Sequence, residues 1–455
     1  MKKYKNYQVF KIIVYIFLSI IIGFFCWGKN DIYKIDLYIY ILPFFYALVT
    51  IILEIVNREQ NISLPKEIIK FICFIRYVII PFVYYTDPQN YNEFYIKNKD
   101  TVLQIMCIEL VSLYLVMALY RKKDNSKYLS NYDENYKIFN IFTIIIVCAF
   151  VAIISIYPSL VYKIFLDKGE KVNLSSTIQL IYNFGVVILN LGILKLIKKS
   201  KIREKIKILI SMGITLISII FLGVNHEGDI SRWTMIINLI INIIILMKYY
   251  DKSKKFIGII FSLLAVCILV LGTFMKFTDE ELSSTNIYEY ITDEVINYET
   301  FDLYFAGPFQ INNAIEVREN NEIHIKNLFI DIFANCPIIN TYLDKSETTP
   351  TLYNFTYYNS YIAKDKICPL SGQAYIYFGL AFSSIFSILA LCLAIKFNNL
   401  AKKSRNEFQL YVNMYFSLIL SLAVCLNINI VFQNIWINIL PIYIIYKLNI
   451  GLKRQ

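Results

Sequence analysis

The chain has 455 residues, of which 57% are hydrophobic, with a mean hydropathy of +0.52 and a net charge of +11. This composition is too apolar for a soluble protein of several domains. The sequence also contains no GxxxxGK[ST] or GxGxxG motif and only two isolated histidines, so it predicts neither nucleotide hydrolysis nor a metal site.

The apolar residues form about twelve blocks of about 18–22 residues, the length that a helix needs to cross a bilayer. The predicted spans are 9–27, 36–56, 68–85, 101–120, 139–160, 176–197, 206–224, 233–250, 256–275, 373–395, 408–426 and 429–447. The first block is not followed by a small-residue cleavage site, which indicates an anchor instead of a removed signal peptide. We therefore expect an all-α, multi-pass membrane protein.

The basic residues predict the orientation of these spans. With the N-terminal "MKKYKNYQVFK" in the cytoplasm, loops such as "RKKDNSKY", "KLIKKSKIREKIK" and "KYYDKSKKF" are also cytoplasmic. That side then carries about 30 of the 45 Lys and Arg, as the positive-inside rule expects for a bacterial plasma membrane. Both termini are predicted to be cytoplasmic, and the positive charge is explained by topology and anionic lipid, without nucleic acid.

The lengths of the loops divide the chain into three regions. Residues 1–275 carry the first nine predicted spans, and 373–455 carry the last three with a cytoplasmic tail. Residues 276–372 form one large external loop, with 15 Asp and Glu against 6 Lys and Arg. Cys336 and Cys368 share this loop and could form a disulfide if their distance allows it.

The external loop contains two helical patterns. After "YFAGP", Pro308 suits a first turn, and the apolar spacing that follows puts Arg318 on the apolar face of the helix. In "NNEIHIKNLFIDIF", apolar residues share one face and His324 lies at its edge, so this helix could lie on the bilayer or cover a cavity. The tyrosines of "TLYNFTYYNSYIAKDK" could stack on sugars or form an interfacial aromatic belt.

Two polar features interrupt the apolar blocks. Arg76 lies inside the third span, where an arginine costs at least about 2.5–3.5 kcal/mol, so it either faces an internal cavity or pairs with an acid such as Glu109. The corner "HEGDISR", between the seventh and eighth spans, concentrates polar groups on the predicted outer face. The corner residues are His226, Glu227, Asp229 and Arg232.

Arginines, a histidine and carboxylates at the outer mouth of a helical bundle fit a lipid diphosphate substrate. A guanidinium binds phosphate oxygens in pairs and stabilises the charge that develops as the diphosphate leaves. A neighbouring His or carboxylate could deprotonate an attacking sugar hydroxyl. These residue types therefore favour glycosyl transfer from a polyprenyl-diphosphate donor.

Several segments resemble those of the Wzy-type oligosaccharide repeat-unit polymerases, the O-antigen polymerase superfamily. "SRWTMIINLIINIIILMKYY" resembles the family's Ser-Arg segment, and "YFAGPFQINNAIE" resembles its tyrosine-initiated loop helix. "LSGQAYIYFGLAFSSIFSILALCLAIKF" is similar to the segment that leads from the loop back into the membrane, and "IRYVIIPF" to the third span. The layout of about twelve spans with one large external loop also matches the family.

The resemblance implies a GT-C-like glycosyltransferase that needs no metal or other cofactor. It would join undecaprenyl-diphosphate-linked oligosaccharides, as donor and acceptor, on the outer face of the bacterial plasma membrane, with a chain-length regulator as a further partner. Arg232 would contact the diphosphate, and His324 or Glu227 would be the base. The implied substrate-binding residues are Arg76, Arg318, His226, Asp229 and Tyr304.

This chain departs from the family because its external loop has no clear RX10G-type repeat. A lipid-linked oligosaccharide flippase and an O-antigen-type ligase remain alternatives. The long external loop favours the enzyme over the flippase, whereas the sequence separates polymerase from ligase poorly. The sugars, the linkage, the choice between capsule and O-antigen, and the oligomeric state also stay open.

Overall fold

The computed structural model describes residues 2–33, 38–56, 63–87, 89–120, 138–158, 160, 175–223, 231–274, 297–337, 339–360 and 366–452. Within these ranges every regular element is helical. In chain order the longer helices are α1 Lys2–Tyr33, α2 Ile41–Val56, α3 Leu64–Thr86, α4 Lys99–Leu119, α5 Ile141–Ile156, α6 Ser176–Lys199, α7 Glu204–Gly223, α8 Arg232–Tyr249, α9 Lys254–Phe274, α10 Tyr298–Phe305, α11 Pro308–Asn320, α12 Ile325–Phe333, α13 Thr349–Tyr358, α14 Leu370–Phe378, α15 Ile385–Lys402, α16 Glu407–Leu422 and α17 Ile428–Leu452. The short helical turns are Tyr38–Tyr40, Asn90–Glu93, Asp251–Ser253, Ile339–Tyr342, Lys345–Glu347, Leu380–Phe382 and Ala423–Cys425.

Seven stretches of the described chain are helical, long and apolar enough to cross a membrane. They are Phe10–Ile32, Leu64–Thr86, Lys99–Leu119, Thr177–Lys199, Glu204–Gly223, Leu380–Lys402 and Glu407–Cys425. Shorter apolar helices occur at Tyr38–Leu53, Ile141–Ile156, Trp233–Tyr249 and Ile428–Ile444. All lie at predicted spans, so the prediction of an all-helical membrane protein is confirmed. The number of twelve spans stays a prediction.

The bundle has two hydrophobic cores that share one helix. The first core is formed mainly by α1 to α4, and we call this group the first half. The second core is formed mainly by α5 to α9 with α16 and α17, which we call the second half. Helix α15 contributes Leu391 and Ile395 to the first core and Ala390 and Ala394 to the second. Neighbouring faces of α15 therefore join the two halves.

Two of the helices contain a π-helical turn just before a proline. In α3 the turn is Ile75–Ile79 and Pro81 follows, while in α17 it is Ile435–Ile439 and Pro441 follows. Proline has no N–H for the carbonyl one turn earlier, and its ring crowds that turn, which therefore widens. The wide turn of α3 contains Arg76.

The described residues between 297 and 369 pack together, and we call them the loop domain. A small core ties them to α14 and comprises Ala314, Val317, Tyr353, Cys368 and Ile376. Cys336 and Cys368 are both buried free thiols, so the disulfide considered from the sequence is not formed.

The loop domain lies at one end of the bundle, and a set of lysines lies at the other. The ring of Tyr298 in the loop domain contacts Tyr84, in the last turn of α3, with a centroid distance of 4.8 Å. In the first turn of α3, Lys66 Nζ donates to the carbonyl of Met117 at 2.9 Å. Lys66 and Tyr84 are about 27 Å apart along the helix axis. We call these ends the loop-domain end and the basic end.

Helix α16 connects the same two ends in the second half of the bundle. At its start, Glu407 pairs with Lys195 at 3.5 Å, and Lys248 Nζ donates to the Ser404 carbonyl at 3.4 Å. Beyond its last turn, the N–H of Ile428 bonds to a side chain of α14, and α17 then packs on α12 of the loop domain. Lys66, Lys195 and Lys248 therefore lie at the end remote from the loop domain.

One predicted span is interrupted in the structure. The stretch 373–395 contains the end of α14 and the start of α15, with a break at Gly379. Gly379 has φ of +79°, a conformation that is costly for residues with a Cβ atom. The hydropathy of this stretch is continuous across the glycine, so an apolar run alone did not reveal the break.

Candidate functional site

Arg76 and Glu109 form an ion pair inside the first half of the bundle. Arg76 lies on the π-helical turn of α3 and Glu109 near the middle of α4, and both side chains are fully buried. Nη1 of Arg76 lies 2.6 Å from Oε2 of Glu109. Of the two explanations left open for Arg76, the structure therefore shows the ion pair with Glu109.

The guanidinium of Arg76 keeps unused hydrogen-bonding capacity. Nη1 and the Glu109 Oε2 are close but not aligned for a hydrogen bond, and Nε of Arg76 has no hydrogen-bond partner within the described part of the chain. Buried polar groups in proteins are nearly always satisfied, so such groups call for a specific explanation. An arginine with unused N–H groups can donate further hydrogen bonds to oxygen atoms of a ligand, in the forked geometry of its guanidinium.

Two serines contact this ion pair from either side of the break at Gly379. Nη2 of Arg76 donates to Oγ of Ser371 at 3.2 Å, and Oγ of Ser387 donates to Oε1 of Glu109 at 2.6 Å. Ser371 belongs to α14 and Ser387 to α15. Any displacement of one helix relative to the other would therefore change the hydrogen bonding of the ion pair.

A buried carboxylate of the loop domain, Asp331, holds α14 from the other side. Its Oδ2 accepts hydrogen bonds from Gln373 Nε2 at 2.6 Å and from Tyr377 Oη at 2.5 Å, and its Oδ1 accepts from the N–H of Thr349 at 2.9 Å. Burial raises the pKa of Asp331, while these three hydrogen bonds favour its ionised form. Because α14 also carries Ser371, this one helix connects Asp331 to Arg76.

Asp302 holds the start of α11 within the loop domain. Its carboxylate accepts hydrogen bonds from Tyr298 Oη at 2.9 Å and from the N–H groups of Phe309 and Gln310 at 3.2 and 3.1 Å. The last two are N–H groups that a helix start leaves without intrahelical partners. Burial raises the pKa of Asp302 to about 6, although the hydrogen bonds act in the opposite direction.

Arg318 belongs to α11, and its side chain contacts the C-terminal end of α14. It is exposed, and Nη1 donates to the carbonyl of Tyr375 while the guanidinium lies 5.1 Å from the centre of the Tyr375 ring. A cation in this position interacts favourably with the carbonyl end of a helix. The predicted helix from Pro308 is confirmed, and Arg318 does contact the helix on which α11 packs.

His324 and Tyr304 lie elsewhere in the loop domain. His324 is exposed and precedes α12, where its N–H donates to Asn327 Oδ1 at 3.0 Å. Tyr304 is half-buried on α10. No contact among the described residues joins His324 to Arg76 or Glu109, so the structure does not bring the predicted base and the buried arginine together.

Most of the "HEGDISR" corner lies outside the described residues. His226, Glu227 and Asp229 lie outside the described residues, as does the side chain of Arg232. The backbone shows that α8 begins at Arg232, after Ser231, whose Oγ accepts from the N–H of Thr234 at 3.4 Å. The Ser-Arg segment therefore opens a helix, as the sequence predicted.

The tyrosine-rich segment is only partly available for contact with a ligand. Tyr353 is fully buried, and its Oη donates to Gln310 Oε1 at 2.6 Å, so the prediction of sugar stacking is wrong for this residue. Tyr357 and Tyr358 surround Lys366, whose Nζ lies 4.7 and 5.6 Å from their ring centres. Tyr361 lies outside the described residues.

The sequence did not single out three polar residues of the site, Ser371, Gln373 and Ser387. Each stands in an apolar run, where an isolated polar side chain was the available signal. Such residues also act as ordinary links between membrane helices, so their position alone is not specific. In the described part of the chain, no three His, Cys, Asp or Glu residues cluster in a way that could hold a metal ion.

Together, the fold and this site define an all-helical membrane protein with a buried ion pair that one helix connects to a polar domain at the end of the bundle. Comparison with known proteins returns no matching family model, no matching curated protein and no matching solved structure.

Proposed function

We propose that this protein is a membrane glycosyltransferase that polymerises undecaprenyl-diphosphate-linked oligosaccharide repeat units on the outer face of a bacterial plasma membrane. The observation that carries the proposal is the connection of Arg76 through α14 to the loop domain. An intramembrane arginine with unused donors suits a lipid-linked anion, and the adjoining polar domain suits its sugars. The resemblance of four sequence segments to Wzy-type polymerases supports the same reaction.

The proposed reaction is a displacement at the first carbon of the donor sugar. A hydroxyl of the acceptor unit attacks this carbon, the bond from carbon to the diphosphate oxygen breaks, and the undecaprenyl diphosphate leaves with the electron pair. Glu227 or His324 takes the hydroxyl proton as general base. Arginine side chains stabilise the negative charge that develops on the departing diphosphate.

The three arginines have different proposed roles. Arg232, at the start of α8, is proposed to contact the diphosphate directly. Arg318, which is exposed beside Gly379, is proposed to add a second cation. Arg76 is buried against Glu109, so it acts from behind the site and reaches an anion only when the contact with Ser371 opens. His226, Asp229 and Tyr304 complete the proposed substrate-binding set.

The asymmetric distribution of lysines supports the proposed orientation. Placing the basic end in the cytoplasm follows the positive-inside rule and puts the loop domain outside, where lipid-linked units are joined. In this arrangement about twelve spans form a GT-C-like bundle, with both termini in the cytoplasm.

Glycan analysis of a deletion strain tests this proposal. The strain is complemented with the wild type, Arg232→Ala or Arg318→Ala, and Arg405→Ala serves as the matched control because Arg405 is an exposed arginine at the basic end. We expect polymer from the wild type and the control, only single repeat units from the deletion and from Arg232→Ala, and less polymer than the wild type from Arg318→Ala.

The same analysis separates the two alternatives. If the protein is a ligase, the deletion strain should accumulate full-length polymer on its lipid carrier. A flippase predicts single units that stay on the cytoplasmic leaflet, where an external glycosidase cannot reach them. Either result would contradict the polymerase proposal.

A further inference from the structure

Helix α12 of the loop domain buries its polar side. Asn327 and Asp331 stand one turn apart on this side and are 5% and 1% exposed. Asn327 Nδ2 donates to the carbonyl of Glu347 at 2.9 Å, and Asp331 accepts the three hydrogen bonds described above. The rest of the loop domain and α14 therefore hold α12 by its polar residues.

Part of the apolar side of the same helix is turned outward, although Leu328 and Ile332 pack against the second core. Ile325 and Phe329, also one turn apart, are 61% and 59% exposed. A helix on the surface of a soluble domain has the reverse arrangement, with its apolar stripe towards the core. Full burial of one such side chain contributes about 1.5–3 kcal/mol, so leaving both in water would forgo a considerable stabilisation.

The position of α12 beside a membrane helix indicates what covers this side. The ring of Phe333 stacks on Trp436 with a centroid distance of 5.6 Å, and Trp436 Nε1 donates to the carbonyl of Ile332 at 2.9 Å. Trp436 belongs to α17 and is about 12 Å along the axis from Ile428, inside the apolar stretch Ile428–Ile444. Helix α12 therefore lies beside the apolar wall of one of the shorter apolar helices and not above it.

A basic residue flanks the exposed apolar side. Lys326 is exposed, and its Nζ lies 3.0 Å from Oε2 of Glu347. A lysine beside an apolar stripe can extend its ammonium group to lipid headgroups while its methylene chain stays in the apolar layer. Tryptophan, as in Trp436, is enriched at the same depth, where hydrocarbon meets headgroups.

We propose that α12 is an interfacial helix, with Ile325 and Phe329 inserted between the acyl chains of the bilayer at the loop-domain end. The bilayer then anchors the loop domain in addition to its contacts with the bundle. The continuity of α12 with the apolar surface of α17 favours lipid over a protein partner. This inference goes beyond the proposed function and does not depend on it.

Photocrosslinking in native membranes tests the inference. The full-length protein carries p-benzoyl-phenylalanine in place of Phe329 or Ile325, and the matched control carries it in place of Lys345, which is exposed on a charged turn of the same domain. After irradiation, we expect mass spectrometry to detect a lipid adduct at positions 329 and 325 and none at position 345.

Three outcomes would overturn the inference. Adducts of 329 and 325 with a second copy of the chain would show a self-association surface, and adducts with another protein would show a docking site. Absence of lipid adducts at both positions would show that α12 faces water. Two separate insertion positions keep the test decisive if one variant fails to reach the membrane.

Discussion

The two halves of the bundle both bury polar groups, but of different kinds. In the middle of the second half the described buried polar groups are neutral: Asn190 Nδ2 donates to Asn242 Oδ1 at 2.7 Å, and Tyr411 Oη donates to Asn238 Oδ1 at 2.5 Å. The charged pair of this half, Lys195 with Glu407, lies at the basic end. In the middle of the first half they include a charged pair, Arg76 and Glu109, in contact.

We propose that this difference separates a structural from a functional use of buried polar groups. Hydrogen bonds between neutral side chains of membrane helices are inexpensive and contribute on average about 0.6 kcal/mol. A buried ion pair can often be replaced by apolar residues without loss of stability, so stability alone does not explain its presence. The described hydrogen bonds of the Asn190–Asn242 pair stay within the bundle, whereas the ion pair is connected through α14 to the loop domain.

Breaking the ion pair should have the largest effect on stability. We expect Glu109→Leu to destabilise the protein by about 3–5 kcal/mol, because Arg76 remains buried without its counterion. The double variant Arg76→Met with Glu109→Leu should recover most of this loss, since it leaves no buried charge. Equilibrium unfolding in detergent measures both. A double variant as unstable as the single one would show that the pair itself stabilises the fold.

The next largest effect is expected for the dependence of the loop domain's stability on pH. The pKa of Asp302 is raised to about 6 in the folded protein, above its unfolded value of about 3.9, so the folded state binds the proton more tightly. The stabilisation that the protonated Asp302 contributes is then fully present below about pH 4. The free energy of unfolding falls by at most about 1.4 kcal/mol per pH unit as the pH rises to about 6. Thermal unfolding of the full chain between pH 4 and 7 should show this decrease.

Asp302→Asn provides the control, because an amide resembles the protonated carboxyl. The variant should unfold like the wild type at pH 4 and lose part of the pH dependence, while Asp331, whose pKa is also raised, retains the rest. An unchanged slope in Asp302→Asn would assign the pH dependence to other groups.

The contact between α11 and α14 positions the helix that reaches Arg76. A Cβ atom on Gly372 would lie 2.7 Å from the Cβ of Ala314, so Gly372→Ala should cost about 1–3 kcal/mol. Gly213→Ala in α7 is the matched control, since a Cβ there meets no atom within 4 Å and should stabilise by about 0.4–1 kcal/mol. Equal unfolding midpoints for the two variants would refute the close crossing.

The smallest effect is expected for the neutral amides of the second half. A double-mutant cycle with Asn190→Leu and Asn242→Leu should give a coupling of about 0.6 kcal/mol, and no more than about 1.7 kcal/mol. We expect both single variants to retain polymer synthesis. Loss of polymer in a stably folded Asn190→Leu variant would mean that the amide pair has a functional role.

The ion pair could be predicted from the sequence, whereas most of the residues that surround it could not. A charge within an apolar run is conspicuous, and the nearest acid in the following span was Glu109. Ser371 and Gln373 carry no comparable signal, because small polar residues are common in membrane helices. The break at Gly379 is also silent in hydropathy, since the residues on both sides are apolar.

Periodicity likewise determined the faces of α11 and α12 without determining their environment. In α11 the apolar face is buried, as expected for a packed helix. In α12 the spacing grouped the apolar residues correctly, but part of that face is exposed and the polar side is buried. A helical pattern predicts which residues share one side of a helix. Whether that side is buried depends on whether protein, lipid or water surrounds the helix.

We propose that the Arg76–Glu109 pair serves function and not stability. The most direct test is the glycan length distribution of a deletion strain that expresses the double variant Arg76→Met with Glu109→Leu, with its folding verified by unfolding in detergent. Our account predicts a stable protein that leaves single repeat units. Polymer of wild-type length and amount from this variant would contradict it.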